Sequence, residues 1–298
     1  MRCTSHQCLP RPVTDHSYRC AIDPEGRTVT VATTQKPGSD PRIQDDGPFS
    51  VKGKVVWVTG ASKGIGAAVA RGLAAGGAHL LLQARSAGAL TALRTELQGR
   101  GAQVEIVSGS VTDPDAVARS IEVAQAAWGR IDGLVTCAGV SPIYKRAELI
   151  TVEEWGEVID TNLTGTFLTA TAAGRGMLAN GSGSIVIVSS VHGTVGASKL
   201  SAYAASKGAV NLLAKSLAAE WAPRGVRVNV IAPGYVETEM TDALREHHSH
   251  GPRLLSRVPM GRFAAANEMA GSVQFLLSDA ASYMTGAVLE IDGGWTSQ

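Results

Sequence analysis

Three side chains that could together move a proton lie close to one another in the sequence: Ser190, Tyr203 and Lys207. Tyr203 and Lys207 are four positions apart, so on a helix they share one face. The pKa of an ordinary tyrosine is about 10, and a neighbouring cation lowers it by stabilising the phenolate. Such a pair could give or take a proton near neutral pH, with the Ser190 hydroxyl, or that of the adjacent Ser189, holding the reacting oxygen. The same spacing also occurs in helices as a plain solvated polar pair.

A second pattern lies nearer the start of the chain, where an apolar run over 54–59 predicts a buried parallel strand. Gly60, Gly64 and Gly66 follow it and permit a tight turn, and an alanine-rich helix comes next. A strand, a glycine loop and a helix in this order can place a phosphate at the helix N-terminus. The glycine spacing differs from the common dinucleotide fingerprint and lacks the ending of a P-loop, so an ordinary glycine-rich turn stays open.

Taken together, these segments resemble the classical short-chain dehydrogenase/reductase family over roughly residues 51–298. The matching segments are, in order, Thr59–Gly66, Ala138–Gly139, Asn162, Ser190, Tyr203 with Lys207, and Pro233–Gly234. The resemblance implies a single α/β domain with a Rossmann-type, doubly wound parallel sheet of seven strands and helices on both faces. It also implies an NAD(P)(H)-dependent oxidoreductase that interconverts a secondary alcohol and a ketone. The segment 222–235 is similar to gluconate 5-dehydrogenases, which act on sugar acids, and to 3-oxoacyl carrier-protein reductases.

Strand and helix patterns alternate from residue 51 onwards, as in a parallel α/β sheet. The predicted strands are 54–59, 78–83, 103–108, 132–136, 184–189, 226–231 and 287–291. The predicted helices are 64–76, 87–100, 114–128, 152–179, 202–222 and 267–278. The stretch from Val236 to about Ala266 has the least regular pattern, and the resemblance makes it the lid on the substrate side.

The resemblance assigns a role to each residue of the predicted catalytic group. Tyr203 becomes the general acid in reduction and the general base in oxidation. Ser190 becomes the hydrogen-bond donor to the substrate oxygen. Lys207 lowers the tyrosine pKa and binds the nicotinamide ribose. Asn162 supports a proton-relay water; by itself, it would be taken for an ordinary helical asparagine.

The resemblance also implies the contacts to the cofactor. The pyrophosphate is expected at the glycine loop, and the nicotinamide amide is expected near the end of the sixth strand. At that strand end, Val236 would act through its backbone and Thr238 through its hydroxyl. The predicted cofactor-binding residues are Gly60, Ser62, Lys63, Gly64, Ile65, Gly66, Arg85, Ala138, Gly139, Tyr203, Lys207, Pro233, Gly234, Val236 and Thr238.

The residues that would contact the adenosine favour NADP(H), with NAD(H) possible. An NAD-type site carries Asp or Glu after the second strand for the ribose 2′-hydroxyl, whereas this chain has Arg85 there and Lys63 in the glycine loop. Two cations suit a 2′-phosphate, unless both are simply solvated. Two departures from the family pattern weaken the adenosine contacts: Thr136–Gly139 replaces Asn-Asn-Ala-Gly, and Ser110 replaces an aspartate.

Composition limits the other function classes. The chain has 298 residues and a net charge of +1, which gives no basic surface for nucleic acid or an anionic membrane. No apolar run is long enough for a membrane span and the first thirty residues lack a signal peptide, so a cytoplasmic protein is expected. Residues 1–50 are polar and proline-rich and are expected to be a largely disordered extension that catalysis does not need.

Two groups of cysteine and histidine residues raise the question of a metal. The first group is in the extension, Cys3, His6, Cys8, His16 and Cys20, and the second is in the lid, His247, His248 and His250. Neither has the spacing of a known site, so no metal is predicted. His192, two positions after Ser190, is instead a candidate to face the substrate.

Apolar positions on the predicted helix 202–222 suggest an assembly of several copies. Small residues at 204, 205, 208 and 209 allow close helix approach, and the resemblance implies pairing through this helix and the one over 152–179. A second contact over 286–295, with Trp295 as an anchor, would complete a homotetramer; a homodimer is the smaller alternative. The apolar positions could also be plain core. A protein of the same fold that only senses a dinucleotide, without turnover, is the competing functional hypothesis.

Overall fold

The computed structural model describes residues 18–22, 28–32, 47–247 and 250–297. Within the predicted extension, strands Tyr18–Ile22 and Thr28–Ala32 pair antiparallel, in a compact unit separate from the rest. The proline-rich composition of the extension did not predict this pairing. Its remaining residues up to 46, with four of its five cysteine and histidine residues, lie outside the described part, as does His248 of the lid. The division at residue 51 stays a prediction.

Residues 47–50 already contact the α/β domain. The Ala280 amide donates to the Pro48 carbonyl at 2.7 Å, and the rings of Phe49 and Phe275 are 6.0 Å apart. A shortened chain should therefore begin at Gly47 rather than at Val51.

The central element is a parallel sheet of seven strands, as predicted. Its strands are β1 Val55–Thr59, β2 His79–Ala84, β3 Val104–Ser108, β4 Gly133–Thr136, β5 Gly183–Val188, β6 Val226–Pro233 and β7 Val288–Ile291. Their order across the sheet is β3-β2-β1-β4-β5-β6-β7. The chain winds outwards from β1 in one direction and from β4 in the other, so the carboxyl ends of these two strands flank the crevice where such sheets bind ligands.

Helices cover both faces of the sheet. They are α1 Gly64–Ala75, α2 Ala87–Gln98, α3 Pro114–Trp128, α4 Val152–Ile159, α5 Gly165–Asn180, α6 Ser201–Trp221, α7 Glu239–Glu246, α8 His250–Leu255 and α9 Glu268–Leu277. Alternate residues of β1 point to opposite faces: Val56 and Val58 pack in one apolar layer, and Trp57 packs in the other. Burial on both faces explains why the strands have continuous apolar runs.

Two regions differ from the predicted elements. The single helix expected over 152–179 is interrupted by one π turn, Asp160–Thr164, between α4 and α5. The π turn carries Asn162, and π turns inside helices often occur at functional sites. In the lid, where the sequence indicated no regular structure, the short helices α7 and α8 form.

Candidate active site

The predicted catalytic residues lie together at the carboxyl end of β5. Ser190 follows β5 and caps a short turn by accepting the amide N–H of His192 at 3.2 Å. Tyr203 and Lys207 are one turn apart on α6, and the Ser190 hydroxyl lies near the Tyr203 phenol. The Ser189 hydroxyl instead donates to the Lys207 carbonyl at 3.1 Å, so it is hydrogen-bonded to the backbone of α6. Of the two serines, Ser190 is the one placed beside the tyrosine.

Burial dominates the electrostatics of this group. It raises the pKa of Tyr203, and the nearby Ser190 hydroxyl lowers that pKa again in part. It also lowers the pKa of Lys207 to about 8. The Lys207 ammonium donates to the Val188 carbonyl at 2.8 Å and lies 5.7 Å from the centre of the Tyr203 ring. The expectation of a lowered tyrosine pKa is therefore not met in this structure. The free energy needed to remove the phenolate from water exceeds the stabilisation that the neighbouring groups supply.

Asn162 connects two segments of this site by three side-chain hydrogen bonds. Its Oδ1 accepts the Val140 amide N–H at 2.8 Å, while its Nδ2 donates to the Val140 carbonyl and to the Ser206 hydroxyl, both at 3.0 Å. Ser206 in turn donates to the Tyr203 carbonyl at 2.7 Å. Asn162 is fully buried, so losing these partners would leave unpaired polar groups. Asn162 thus holds the turn after β4 against the helix that carries Tyr203.

The glycine loop after β1 has the features needed to receive a pyrophosphate. Gly60 has a positive φ, and a Cβ there would lie 2.6 Å from the Ala138 nitrogen. The loop therefore lies directly against the turn that follows β4. Lys63, at the N-terminus of α1, makes no side-chain cap, and the first turn of α1 has no acidic residue. The first amide groups of α1 thus suit an anion.

The turn after β4 links the glycine loop to the catalytic residues. A Cβ on Gly139 would lie 3.4 Å from Asn162 Oδ1 and 3.5 Å from Lys207 Nζ. Cys137, where the family has an asparagine, is half-buried, and burial raises the pKa of its thiol to about 12. Its amide donates to the Thr59 carbonyl at 3.2 Å, so the backbone of this turn is held without the family's asparagine.

The segment after β6 also lies beside the glycine loop. Pro233 ends β6, and Gly234 follows it with its amide donating to the Ile291 carbonyl at 3.0 Å. The Val236 carbonyl accepts the Thr241 hydroxyl at 2.5 Å. The methyl group of Thr238 lies 3.3 Å from where a Cβ on Gly64 would stand. The predicted nicotinamide contacts and the predicted pyrophosphate loop are therefore neighbours.

The two cations predicted to read the 2′-position are exposed. Lys63 has a side chain 65% exposed and pairs with Glu239 of α7 at 2.5 Å. Arg85 follows β2 and is exposed, and its carbonyl accepts the Ser108 hydroxyl at 3.1 Å. Ser62 and Ile65, which complete the loop, are both partly buried. The pairing of Lys63 with Glu239 was not predicted, because it joins residues far apart in sequence.

His192 is buried against Tyr235 and Trp295, with its Nε2 3.3 Å from the Tyr235 hydroxyl. The sequence identified His192 but not Tyr235 or the linking role of Ser206; the only available signal for Ser206 was its position between Tyr203 and Lys207. Within the described residues, no cluster of three metal-binding side chains occurs, and no helix is long and apolar enough to cross a membrane.

Comparison with known proteins identifies the family. Residues 60–296 match the sequence model of a family described as "Enoyl-(Acyl carrier protein) reductase". The chain is 43% identical over 250 residues to galactitol 2-dehydrogenase (L-tagatose-forming) of Cereibacter sphaeroides, covering 83% of this chain and 97% of that protein. It is 40% identical over 249 residues to a 3-oxoacyl-[acyl-carrier-protein] reductase of Escherichia coli K12, covering 83% of this chain and 98% of the other.

Solved structures agree with these sequence matches. A gluconate 5-dehydrogenase from Burkholderia cenocepacia J2315, crystallised with NADP and tartrate, is 33% identical and superimposes with a TM-score of 0.81 over 84% of this chain and 98% of that one. The predicted family and fold are thereby confirmed. This chain belongs to the short-chain dehydrogenase/reductase family, whose members are NAD(P)(H)-dependent oxidoreductases acting on CH–OH groups.

Proposed function

We propose that the chain interconverts a polyhydroxylated secondary alcohol and its ketone with NADP(H), using Tyr203 as the proton-transfer residue. The observation that carries this proposal is the placement of Tyr203 one turn before the buried Lys207, whose ammonium lies 5.7 Å from the centre of the tyrosine ring, with Ser190 nearby at the end of β5. A hydroxyl and a phenol that lie near one another can both reach a single substrate oxygen. A dinucleotide-sensing protein without turnover would have no need of this arrangement.

Each residue of the group contributes a distinct step. In reduction, Tyr203 donates its proton to the substrate oxygen while Ser190 hydrogen-bonds that oxygen as negative charge develops. Lys207 places a positive charge beside the phenol, which favours the phenolate left after proton transfer. Asn162 holds the Val140 backbone and, through Ser206, the Tyr203 carbonyl, and we propose that it fixes the tyrosine in position.

The cofactor supplies or accepts the hydride, and the chain supplies the groups that hold it. Gly60, Ser62, Gly64, Ile65 and Gly66 would hold the pyrophosphate at the start of α1. The remaining contacts would come from Ala138, Gly139, Pro233, Gly234, Val236, Thr238, Tyr203 and Lys207. The open N-terminus of α1 and the close approach of the turn after β4 support this placement.

We propose that NADP(H) is preferred over NAD(H). No carboxylate follows β2, and the exposed Arg85 and Lys63 supply two positive charges for a 2′-phosphate. The NADP in the related gluconate 5-dehydrogenase structure is consistent with this preference.

The substrate class follows from the relatives and from the residues beside Ser190. The relatives act on a polyol or sugar acid, or on a 3-oxoacyl thioester, according to their names. His192 and Tyr235 place hydrogen-bonding groups near the catalytic residues, which suits a substrate rich in hydroxyl groups. We therefore propose a polyol or sugar acid, with 3-oxoacyl thioesters as the competing class.

The test is oxidation of NADPH and NADH, followed by absorbance, with keto sugar acids, ketoses and an acetoacetyl thioester. Turnover of a keto sugar acid or ketose with NADPH, lost in Tyr203→Phe, is the expected result. Reduction of the thioester alone would overturn the substrate class. Cofactor binding without turnover of any compound, in either direction, would favour the dinucleotide-sensing hypothesis.

We also propose a cytoplasmic homo-oligomer, either a homotetramer or a homodimer. Apolar side chains lie exposed on the helices expected to pair: Trp155 on α4, Phe167 on α5 and Leu212 on α6. A second copy would cover this surface. Light scattering of the purified protein at micromolar concentration should give a multiple of 30.8 kDa, whereas the monomer mass would overturn the proposal.

A further inference from the structure

The segment just before α6 contains a strained backbone conformation. Lys199 has a φ of 65°, and within the described part of the chain it is the only residue other than glycine with a positive φ. This left-handed region is unfavourable for a residue with a Cβ, and lysine is not among the residues that adopt it readily. Such conformations persist where surrounding contacts impose them, and they are concentrated at functional sites. The contacts of Lys199 therefore indicate its role.

Lys199 contacts the segment that follows β4 in two ways. Its carbonyl accepts the amide N–H of Lys145 at 3.2 Å. Its ammonium lies 5.0 Å from the centre of the Tyr144 ring, which is a cation–π contact. The Lys145 ammonium is in turn ion-paired with Glu154 of α4. The segment that carries Tyr144 is thus held between α4 and the residue that leads into α6.

This segment lies close to the proposed proton donor. Ile143, next to Tyr144, packs in a small apolar cluster with Ala202, which is next to Tyr203. The phenols are also near one another: burial is the main cause that raises the pKa of Tyr235, and the phenols of Tyr144 and Tyr203 raise that pKa further. The three tyrosines come from the segments that follow β4, β5 and β6, which are neighbours in the sheet. Their phenols therefore border one space beside the catalytic group.

Of the two tyrosines that accompany Tyr203, only Tyr144 has a largely open ring. Tyr235 is partly buried, and its hydroxyl lies 3.3 Å from Nε2 of His192. Tyr144 is 56% exposed even though the Lys199 ammonium lies over its ring. An aromatic face is electron-rich and attracts the weakly positive C–H groups of a carbon chain. Tyr144 can therefore contact a substrate that extends away from Tyr203.

We propose that Tyr144 contacts the substrate and sets its affinity, and that Lys199 is the positioning residue that holds the Tyr144 ring in place. This inference rests on the proposed function and adds to it two residues that determine substrate binding. The ring packs against the C–H groups of the substrate next to the reacting carbon. The left-handed backbone at Lys199 allows one residue to lead into α6 and to place its ammonium over that ring. Neither residue transfers a proton or a hydride, so both act on KM.

Steady-state kinetics with D-gluconate, galactitol and an acetoacetyl thioester test these roles. For each probe that is turned over, Tyr144→Ala should raise KM by about tenfold and leave kcat within about threefold. Lys199→Asn keeps a residue that tolerates the left-handed region but removes the ammonium, so KM should rise by about two- to fivefold. Lys199→Arg keeps a cation over the ring and should stay within about twofold of wild type. Lys215→Gln, at an exposed position of α6, is the control.

A double variant shows whether Lys199 acts through the ring. The KM of Tyr144→Ala/Lys199→Asn should equal that of Tyr144→Ala alone, and effects that multiply would overturn the positioning role. Denaturant unfolding tests the strain without any ligand. Lys199→Gly should have a higher midpoint than Lys199→Ala, because glycine adopts the left-handed region without penalty. The reverse order would contradict the backbone conformation on which the inference depends.

The same variants separate this inference from the proposed function. Turnover with an unchanged KM in Tyr144→Ala would overturn the inference and leave the oxidoreductase intact. If no probe is turned over, the proposed function fails, and calorimetric titration of the NADP⁺ complex with the same three probes tests the inference by itself. A probe whose binding weakens by about tenfold in Tyr144→Ala supports the inference. Absence of binding of all three probes to the wild type overturns it.

Discussion

The two ends of the site, the catalytic end and the end that would read the 2′-position, are built in different ways. At the catalytic end, Asn162, Ser206 and Lys207 are buried, and each donates hydrogen bonds of 2.7–3.0 Å. At the other end, Lys63 and Arg85 are exposed, and Lys63 forms only a surface ion pair. Fixed buried groups suit chemistry that needs a defined geometry, whereas solvated charges contribute binding energy that is small and easily changed.

This difference predicts that substitutions at the two ends change different properties of the protein. Substitutions at the buried end should change kcat and stability, because they remove reacting atoms or leave polar groups unpaired. Substitutions at the exposed end should change which cofactor is preferred, with little effect on folding. The following experiments test this division, from the largest expected effect to the smallest.

Tyr203→Phe removes the proton and keeps the ring. We expect kcat to fall by about a hundredfold to ten-thousandfold, the usual contribution of a general acid. Affinity for NADPH, measured by fluorescence titration, should stay within about threefold of wild type, because the phenol is only one of many cofactor contacts. The exposed Tyr283→Phe is the control. Near wild-type kcat in Tyr203→Phe would remove the basis of the mechanism.

Asn162→Ala should damage both turnover and stability. It leaves the Val140 amide without its acceptor and Ser206 without a donor, so the free energy of unfolding should fall by about 1–3 kcal/mol. We expect kcat to fall by roughly tenfold or more, because the helix that carries Tyr203 loses the hydrogen bond from Asn162 to Ser206 that helps to position it. Denaturant unfolding and steady-state kinetics measure the two effects. Asn180→Ala, at the exposed end of α5, should change neither, and an Asn162→Ala protein that matches it would contradict the positioning role.

Lys207→Met should inactivate the protein and yet stabilise it. Burial holds the lysine pKa near 8 instead of 10.5, so the folded protein at pH 7 carries a cation that water would solvate better. Removing this cost should raise the free energy of unfolding at pH 7 by about 1–3 kcal/mol. The exposed Lys215→Met on the same helix is the control.

The pH dependence of this stabilisation has a defined sign. Between about pH 8 and 10.5 the unfolded chain binds more protons at this lysine than the folded one, so this lysine's contribution to wild-type stability rises with pH. The advantage of Lys207→Met over wild type should therefore be fully present below pH 8 and shrink as the pH approaches 10.5. An advantage that grows over this range would contradict the assigned shift.

Glu239→Gln should have the smallest effect. It releases Lys63 from its surface partner, and such pairs are worth about 0.2–1 kcal/mol, so affinity for NADPH should rise by no more than about fivefold. Affinity for NADH should change less, since it lacks the 2′-phosphate. Asp242→Asn, on the same helix but paired with Arg245 at 3.1 Å, controls for the loss of one negative charge. Equal gains for both cofactors would argue that Lys63 does not read the 2′-position.

The sequence was sufficient to predict the sheet and the positions of Ser190, Tyr203 and Lys207. All seven strands lie within two residues of their predicted bounds, because apolar runs between glycine turns are a local signal. The position of Tyr203 one turn before Lys207 is likewise fixed by local helical geometry.

What the sequence could not predict depends on contacts between distant segments. The π turn at Asn162 is stabilised by bonds to Val140 and Ser206, neither of which is near it in sequence. The lowering of the Lys207 pKa depends on how deeply α6 is packed, and the contacts of His192 with Tyr235 and Trp295 join three separate turns. The sequence prediction assigned Lys207 the role of lowering the tyrosine pKa, whereas burial, which no short motif encodes, prevails in this structure.

The most direct test of the division between the two ends is the ratio of kcat/KM with NADPH to that with NADH in the double variant Lys63→Gln/Arg85→Gln. We predict that this ratio falls by at least about tenfold, as expected for loss of charge-assisted bonds to a phosphate, while kcat at saturating NADPH stays within about twofold of wild type. An unchanged ratio, or a collapse of kcat, would contradict the assignment of cofactor selection to the exposed end and of chemistry to the buried one.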